Sequence, residues 1–211
     1  MKNSELWMRR VRNLVGFLGM ILPWLSLMGA GIVAKTVGVP NDFWRTLSIS
    51  ATYYITPFLT GILTAAAIVL MCYDGYDWRD NVVTTISGVF GIMIVLFPCT
   101  CTVSTDYVGA FQLPVKVSNF VHCFSACAFF ILLSINSLFL FTLGESGTKM
   151  KKIRNIIYRV CGVGMLSALI LMVLPINFFA KTFIVEAVAL TFFGISWLVK
   201  GQVFNLFSDK Q

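Results

Sequence analysis

Six apolar runs, each about as long as a bilayer is thick, dominate this sequence. They lie near residues 14–34, 52–73, 82–98, 117–142, 156–176 and 182–199. A helix of about 20 apolar residues crosses the roughly 30 Å of a bilayer's hydrocarbon core. Only 12% of the 211 residues are charged, about half the fraction found in soluble domains. We therefore expect an all-α fold, in which residues 1–211 form a single polytopic bundle of six transmembrane helices.

The positive charges predict how this bundle is oriented. Six spans put both termini on one side of the membrane, and short cytoplasmic loops are enriched in Lys and Arg. The side with the termini would hold most of the sixteen basic residues, namely Lys2, Arg9, Arg10, Arg12, Arg79, Lys149, Lys151, Lys152, Arg154, Arg159, Lys200 and Lys210. Both termini are thus expected in the cytoplasm. Because this topology accounts for the net charge of +7, no nucleic-acid partner is expected.

Two ionisable side chains, His122 and Glu186, fall inside the predicted spans. His122 is the only histidine. Each residue lies four or five positions from the predicted outer end of its span, which is roughly 6–8 Å below the surface at about 1.5 Å of rise per residue. Ionisable groups at such positions are rare and face the interior of a bundle. The segment SISATYYIT (48–56) enters the membrane at the same level.

These residues predict a polar pocket that opens to the outer side. The hypothesis assigns ligand binding to Ser48, Ser50, Tyr53, Tyr54, His122, Ser125 and Glu186. The alternative is structural, since hydroxyl, imidazole and carboxyl groups in spans also serve as interhelical hydrogen bonds. Tyr53 and Tyr54 also fit the aromatic belt at a membrane interface.

The cysteines are assigned by their position in the chain. Cys72, Cys123, Cys127 and Cys161 lie in or beside spans and are predicted to be small packing residues. Cys99 and Cys101, in FPCTCTV, emerge on the outer side, and their redox state is left open. One His and one Glu do not complete a tetrahedral zinc site. We therefore predict no metal, no cofactor and no catalytic residue.

Several motifs resemble a known family of membrane proteins. They are SIS-A-TYY, YDGYD-RDN, a span ending in FP, a lone His before SA-x-x-FF, KKIRN-x-x-YRVCG, and a Glu followed by W-L-V-K-G in the last span. This combination resembles a family of six-span bacterial membrane proteins catalogued as a domain of unknown function. The resemblance implies the six-span fold and a multi-pass location in the bacterial inner membrane.

The sequence also resembles two other groups of membrane proteins more distantly. The architecture is similar to six-span proteins of the DRAM and Sfk type. The serine-rich entry to the second span and His122 also resemble the CREST membrane hydrolases, which hold zinc with three His. This chain departs from the CREST pattern because it has one His and six predicted spans.

The sequence is consistent with three alternative functions. The first is a non-enzymatic inner-membrane protein that binds a lipid or small amphiphile in the outer-leaflet pocket. The second is an intramembrane hydrolase of CREST-like type, with His122 as general base and Glu186 as its orienting partner. The third is a small secondary transporter in which Glu186 titrates. The expected partners are membrane lipids, with a protein partner or a homo-oligomer left open.

Overall fold

The apolar runs form an antiparallel helical bundle in the computed structural model, which describes residues 2–75, 77–100, 106–144 and 147–203, with side chains from residue 5. Among these residues, five helices are long and apolar enough to cross a membrane. Only a helix satisfies every backbone polar group of an isolated apolar run without water. In chain order, the elements are α1 (Lys2–Val37), α2 (Phe43–Thr46), a 3₁₀ helix (Ser50–Tyr54), α3 (Phe58–Met71), α4 (Trp78–Leu96), β1 (Tyr107–Val108), β2 (Leu113–Pro114), α5 (Val115–Ile135), a π-helical turn (Asn136–Leu140), α6 (Lys149–Val173) and α7 (Lys181–Lys200).

The second apolar run is where the fold departs most from the predicted spans. One continuous helix is predicted over 52–73, but the chain forms the 3₁₀ helix, a break around Pro57, and then α3 with only 14 residues. Proline lacks a backbone N–H and its ring clashes with the preceding turn, so a helix starts more readily after it than through it. At about 2.0 and 1.5 Å of rise per residue, the 3₁₀ helix and α3 together cover roughly 30 Å.

Two other boundaries differ from the predicted ones. Helix α1 begins at Lys2 and runs for 36 residues, so the basic segment before the predicted span is helical. Helix α6 begins at Lys149, where Thr148 caps it by accepting the N–H of Lys151. The predicted connections also contain structure, namely the short helix α2 and the two-stranded hairpin of β1 and β2.

At one end of the bundle, aromatic and basic side chains join four of the helical segments. Arg12 of α1 donates a hydrogen bond from Nε to the hydroxyl of Tyr73, 3.0 Å away, just after α3. The Tyr73 ring meets the Trp197 ring of α7 edge-on at 5.1 Å, and Trp197 meets Phe141 at 5.3 Å. We call this the basic end. The other end, which holds the starts of α5 and α7, is called the site end.

Close helix contacts depend on small residues. A Cβ added at Gly16 of α1 would lie 2.9 Å from the carbonyl oxygen of Gly194 on α7. On α6, a Cβ added at Gly162 would lie 3.1 Å from the carbonyl oxygen of Ser134 on α5. Such residues let two backbones approach in a bundle that lacks a hydrophobic driving force between helices. Helices α5 and α6 therefore touch at Ser134 and Gly162.

Candidate functional site: an amphipathic cleft at the site end

A cleft of about 330 Å³ lies in the site-end half of the bundle. Its wall is mainly apolar and includes Leu59 and Leu63 of α3, Ala189 and Leu190 of α7, and, on α5 and α6, Ala126, Phe129, Phe130, Ala168, Leu169 and Met172. Its polar part is formed by Ser48, Ser50, Thr100, His122, Thr182 and Glu186. The cleft is therefore amphipathic, with polar groups contributed by separate segments of the chain.

Glu186 connects α7 to the segment that precedes α3. Its Oε1 accepts the hydroxyl hydrogen of Ser50 at 2.7 Å, and its Oε2 accepts the backbone N–H of Ile49 at 2.5 Å. The N–H groups at the start of a helix have no partner within the helix. The carboxylate supplies acceptors for this short 3₁₀ helix, and Ser48 adds another by accepting the N–H of Ala51 at 2.8 Å.

His122 is buried, with 4% of its surface exposed. Its Nδ1 lies 2.8 Å from the carbonyl oxygen of Phe97. A carbonyl oxygen can only accept, so Nδ1 carries the hydrogen. The other ring nitrogen, Nε2, has no hydrogen-bond partner within the described part of the chain. The imidazole thus uses one nitrogen for structure, and its other nitrogen is enclosed without a partner among the described residues.

The hydrogen bond from His122 Nδ1 belongs to a set that holds the segment just after α4. Helix α4 ends at Leu96, so the carbonyl groups of residues 97–99 and the N–H of Thr100 need partners outside the helix. Ser118 donates to the Pro98 carbonyl at 2.8 Å, and Tyr54 donates to the Cys99 carbonyl at 2.9 Å. Asn119 accepts the N–H of Thr100 at 2.8 Å. His122 belongs to this set of side chains, which fixes the segment against α5.

The structure brings together only part of the predicted pocket. Ser48, Ser50, His122 and Glu186 all line the cleft. The three remaining residues of the hypothesis, Tyr53, Tyr54 and Ser125, are not among its lining residues.

Each of these three residues has another environment. The Tyr53 and Tyr54 rings meet edge-on at 5.1 Å, and the Tyr54 hydroxyl bonds to Cys99. Ser125 is fully buried, and its hydroxyl has no partner among the described residues.

His122 and Glu186 do not form the hydrogen-bonded pair that their equal depth suggests. The imidazole bonds to Phe97 and the carboxylate bonds to Ile49 and Ser50. Both nevertheless line the same cleft. The equal depth of His122 and Glu186 in the predicted spans is consistent with their lining one cavity. Their hydrogen-bond partners, however, are set by backbone groups at two helix ends, Phe97 after α4 and Ile49 before the 3₁₀ helix.

The interpretation of Cys123 and Cys127 as packing residues is wrong. Both side chains are exposed, and both also line the cleft. They lie one helical turn apart on the same face of α5. The cleft is therefore open at these two positions. Cys99 is buried, whereas Cys101 lies outside the described residues.

No group of three or more His, Cys, Asp or Glu side chains suited to a metal ion occurs in the part of the chain that the structure describes. The chain also has no significant match to a family model, to a curated protein or to a solved structure. The resemblance to six-span bacterial membrane proteins therefore stays a prediction.

Proposed function

We propose that this protein is a six-pass protein of the bacterial inner membrane that binds a single-chain amphiphile from the outer leaflet. In this proposal both termini lie in the cytoplasm and the site end faces outward. The polar part of the cleft would hold the head group, and the apolar wall would hold the chain. The protein acts as a binding protein and catalyses no reaction.

The six-pass topology is supported by the path of the second segment. Ser50 lies at the site end, bonded to Glu186, and Tyr73 lies at the basic end, bonded to Arg12. The chain between them thus passes from one end of the bundle to the other. In the 3₁₀ helix that precedes the break at Pro57, Thr52 is fully buried, and irregular backbone is tolerated in a membrane protein where it is buried against protein.

The shape of the cleft supports a single-chain ligand. Its volume of about 330 Å³ is at the lower end of the range of roughly 300–1,000 Å³ for ligand sites. A two-chain phospholipid would need more room. The surface opening at Cys123 and Cys127 would admit a chain sideways from lipid, since both residues are exposed and line the cleft.

One observation carries the proposal, namely that a single open cleft combines a polar part with an apolar wall. A structural role for the polar residues explains the bonds of Glu186 and of His122 Nδ1. It leaves the buried Nε2 of His122 without a partner among the described residues. A ligand head group would supply that partner.

A binding measurement with a fluorescent single-chain amphiphile tests the proposal. The purified protein in nanodiscs of zwitterionic phospholipid should bind a fluorescent monoacylglycerol saturably, with one molecule per chain. Ala126→Trp would fill the cleft, since Ala126 lines it and is only partly buried. This variant should weaken binding at least tenfold.

Ala65→Trp is the matched control, because Ala65 is exposed on α3 and does not line the cleft. It should bind the probe as the wild type does. Equal binding by wild type and Ala126→Trp, or uptake of the probe without saturation, would contradict the proposal.

A further inference from the structure

We infer that the cleft selects amphiphiles whose head group donates hydrogen bonds and carries no negative charge. This inference rests on the proposed function and names the chemistry of its ligand. Hydroxyl and ammonium head groups share this chemistry. Phosphate and carboxylate head groups lack it, because each is an anion that presents acceptors.

The polar atoms of the cleft are arranged as acceptors. An uncharged imidazole that donates through Nδ1 has a lone pair at Nε2, and in His122 this atom is buried without a partner among the described residues. The Glu186 carboxylate accepts from Ser50 and Ile49. A carboxylate has about four lone-pair positions, so capacity to accept a further hydrogen bond is left. A head group that donates therefore completes the hydrogen bonds of both side chains.

The charge of the cleft points the same way. Its lining within the described residues includes Glu186 but no Lys or Arg. Residues 101–105, which follow the lining residue Thr100, also contain no charged residue in the sequence. Moving an anion into a poorly solvated site beside a carboxylate is unfavourable without a paired cation. An uncharged or positively charged head group avoids this penalty.

Four basic residues lie toward the site end, namely Lys35, Arg45, Lys116 and Lys181, and none of them lines the cleft. Lys181 donates its ammonium group to the carbonyl of Leu174 at 2.7 Å. Lys116 is exposed in the first turn of α5. Because Lys116 could attract an anion from the rim, the experiment includes its neutral variant.

Competition between amphiphiles that share one oleyl chain tests the inference. Monooleoylglycerol, oleylamine and oleate would each displace the fluorescent monoacylglycerol from wild-type protein in zwitterionic nanodiscs. Concentrations are expressed per lipid and Ala126→Trp serves as the blank, so that partition into the bilayer cancels. Monooleoylglycerol and oleylamine should each compete at least tenfold better than oleate. The ratio between these two would show whether hydroxyl or ammonium is preferred.

A conservative variant tests the role of Nε2. In His122→Asn, the side-chain amide can still donate to the Phe97 carbonyl, but nothing replaces Nε2. It should weaken monooleoylglycerol binding about five- to tenfold, and Lys116→Gln should leave all three ligands unchanged. Oleate competing as well as or better than the others, or unchanged binding in His122→Asn, would overturn the inference while leaving the proposed function intact. Absence of any binding that Ala126→Trp blocks would overturn both.

Discussion

Ser50 donates a hydrogen bond from its hydroxyl to Oε1 of Glu186 at 2.7 Å, which joins two residues 136 positions apart in the chain. The adjacent backbone N–H of Ile49 reaches the other carboxylate oxygen. These bonds hold the 3₁₀ helix against α7 at the site end. Glu186 also lines the cleft, so the residue that fixes this part of the fold also belongs to the wall of the site.

The first prediction concerns the stability that this carboxylate provides. Glu186→Ala should lower the free energy of unfolding in detergent by about 2–3 kcal/mol, because the Ile49 N–H and the Ser50 hydroxyl lose their acceptor. Thr191→Ala on the same helix is the control, since the Thr191 hydroxyl bonds within α7 to the Ala187 carbonyl. It should change stability by less than about 0.5 kcal/mol. Equal effects of the two substitutions would show that the Glu186 bonds add little.

The second prediction separates His122 from Glu186. Because the two side chains bond to different partners, the effects of His122→Ala and Glu186→Ala on unfolding should add in the double variant to within about 0.5 kcal/mol. Each single variant is compared with the double variant in the same denaturation assay. A coupling energy above about 1 kcal/mol would indicate a direct contact and contradict the observed arrangement.

The third prediction concerns helix packing. Gly194→Ala should lower stability by about 1–3 kcal/mol through overpacking, because its Cβ would lie 2.8 Å from the carbonyl oxygen of Gly16. Gly61→Ala on α3 is the matched control, because an added Cβ there meets nothing within 4 Å. Alanine at this helical position should be neutral or stabilise by up to about 1 kcal/mol. Thermal unfolding of both variants measures this difference. A Gly194→Ala variant as stable as Gly61→Ala would show that α1 and α7 are not in close contact at this glycine.

The fourth prediction concerns the proposed topology. A reporter enzyme active only in the periplasm should be active when fused after Asp106 and silent when fused after Thr148. Asp106 precedes the hairpin at the site end, and Thr148 caps α6 at the basic end. Activity after Thr148 together with silence after Asp106 would reverse the orientation. Equal activity at both positions would exclude an α5 that crosses the membrane.

Much of the helical fold follows from hydrophobicity alone. The runs predicted over 82–98 and 182–199 match α4 and α7 closely, because an apolar segment in lipid has few conformations other than a helix. The break in the second run could not be placed in this way. Pro57 marks it in the sequence, but the 3₁₀ helix depends on acceptors supplied by Glu186, which is distant in the chain.

The sequence indicates which ionisable residues line the cleft, but it does not indicate most of the residues that form the cleft wall. The cost of placing His122 and Glu186 in a span indicates that both face the interior, and both line the cleft. Tyr53, Tyr54 and Ser125, which the same reasoning assigned to the pocket, do not line this cleft, because helical spacing gives a face but not the position of a cavity between helices. The exposure of Cys123 depends on how α5 packs against its neighbours, which no local pattern encodes.

Photo-crosslinking tests the central claim of amphiphile binding most directly. A monoacylglycerol with a diazirine in its chain would be incorporated into membranes that contain the full-length protein, irradiated, and its adducts located by peptide mass spectrometry. We predict that adducts concentrate within residues 122–130 and 168–172 and are lost in Ala126→Trp. Adducts spread over exposed lipid-facing residues of α1, such as Trp24 and Ile32, and unchanged in Ala126→Trp would contradict it.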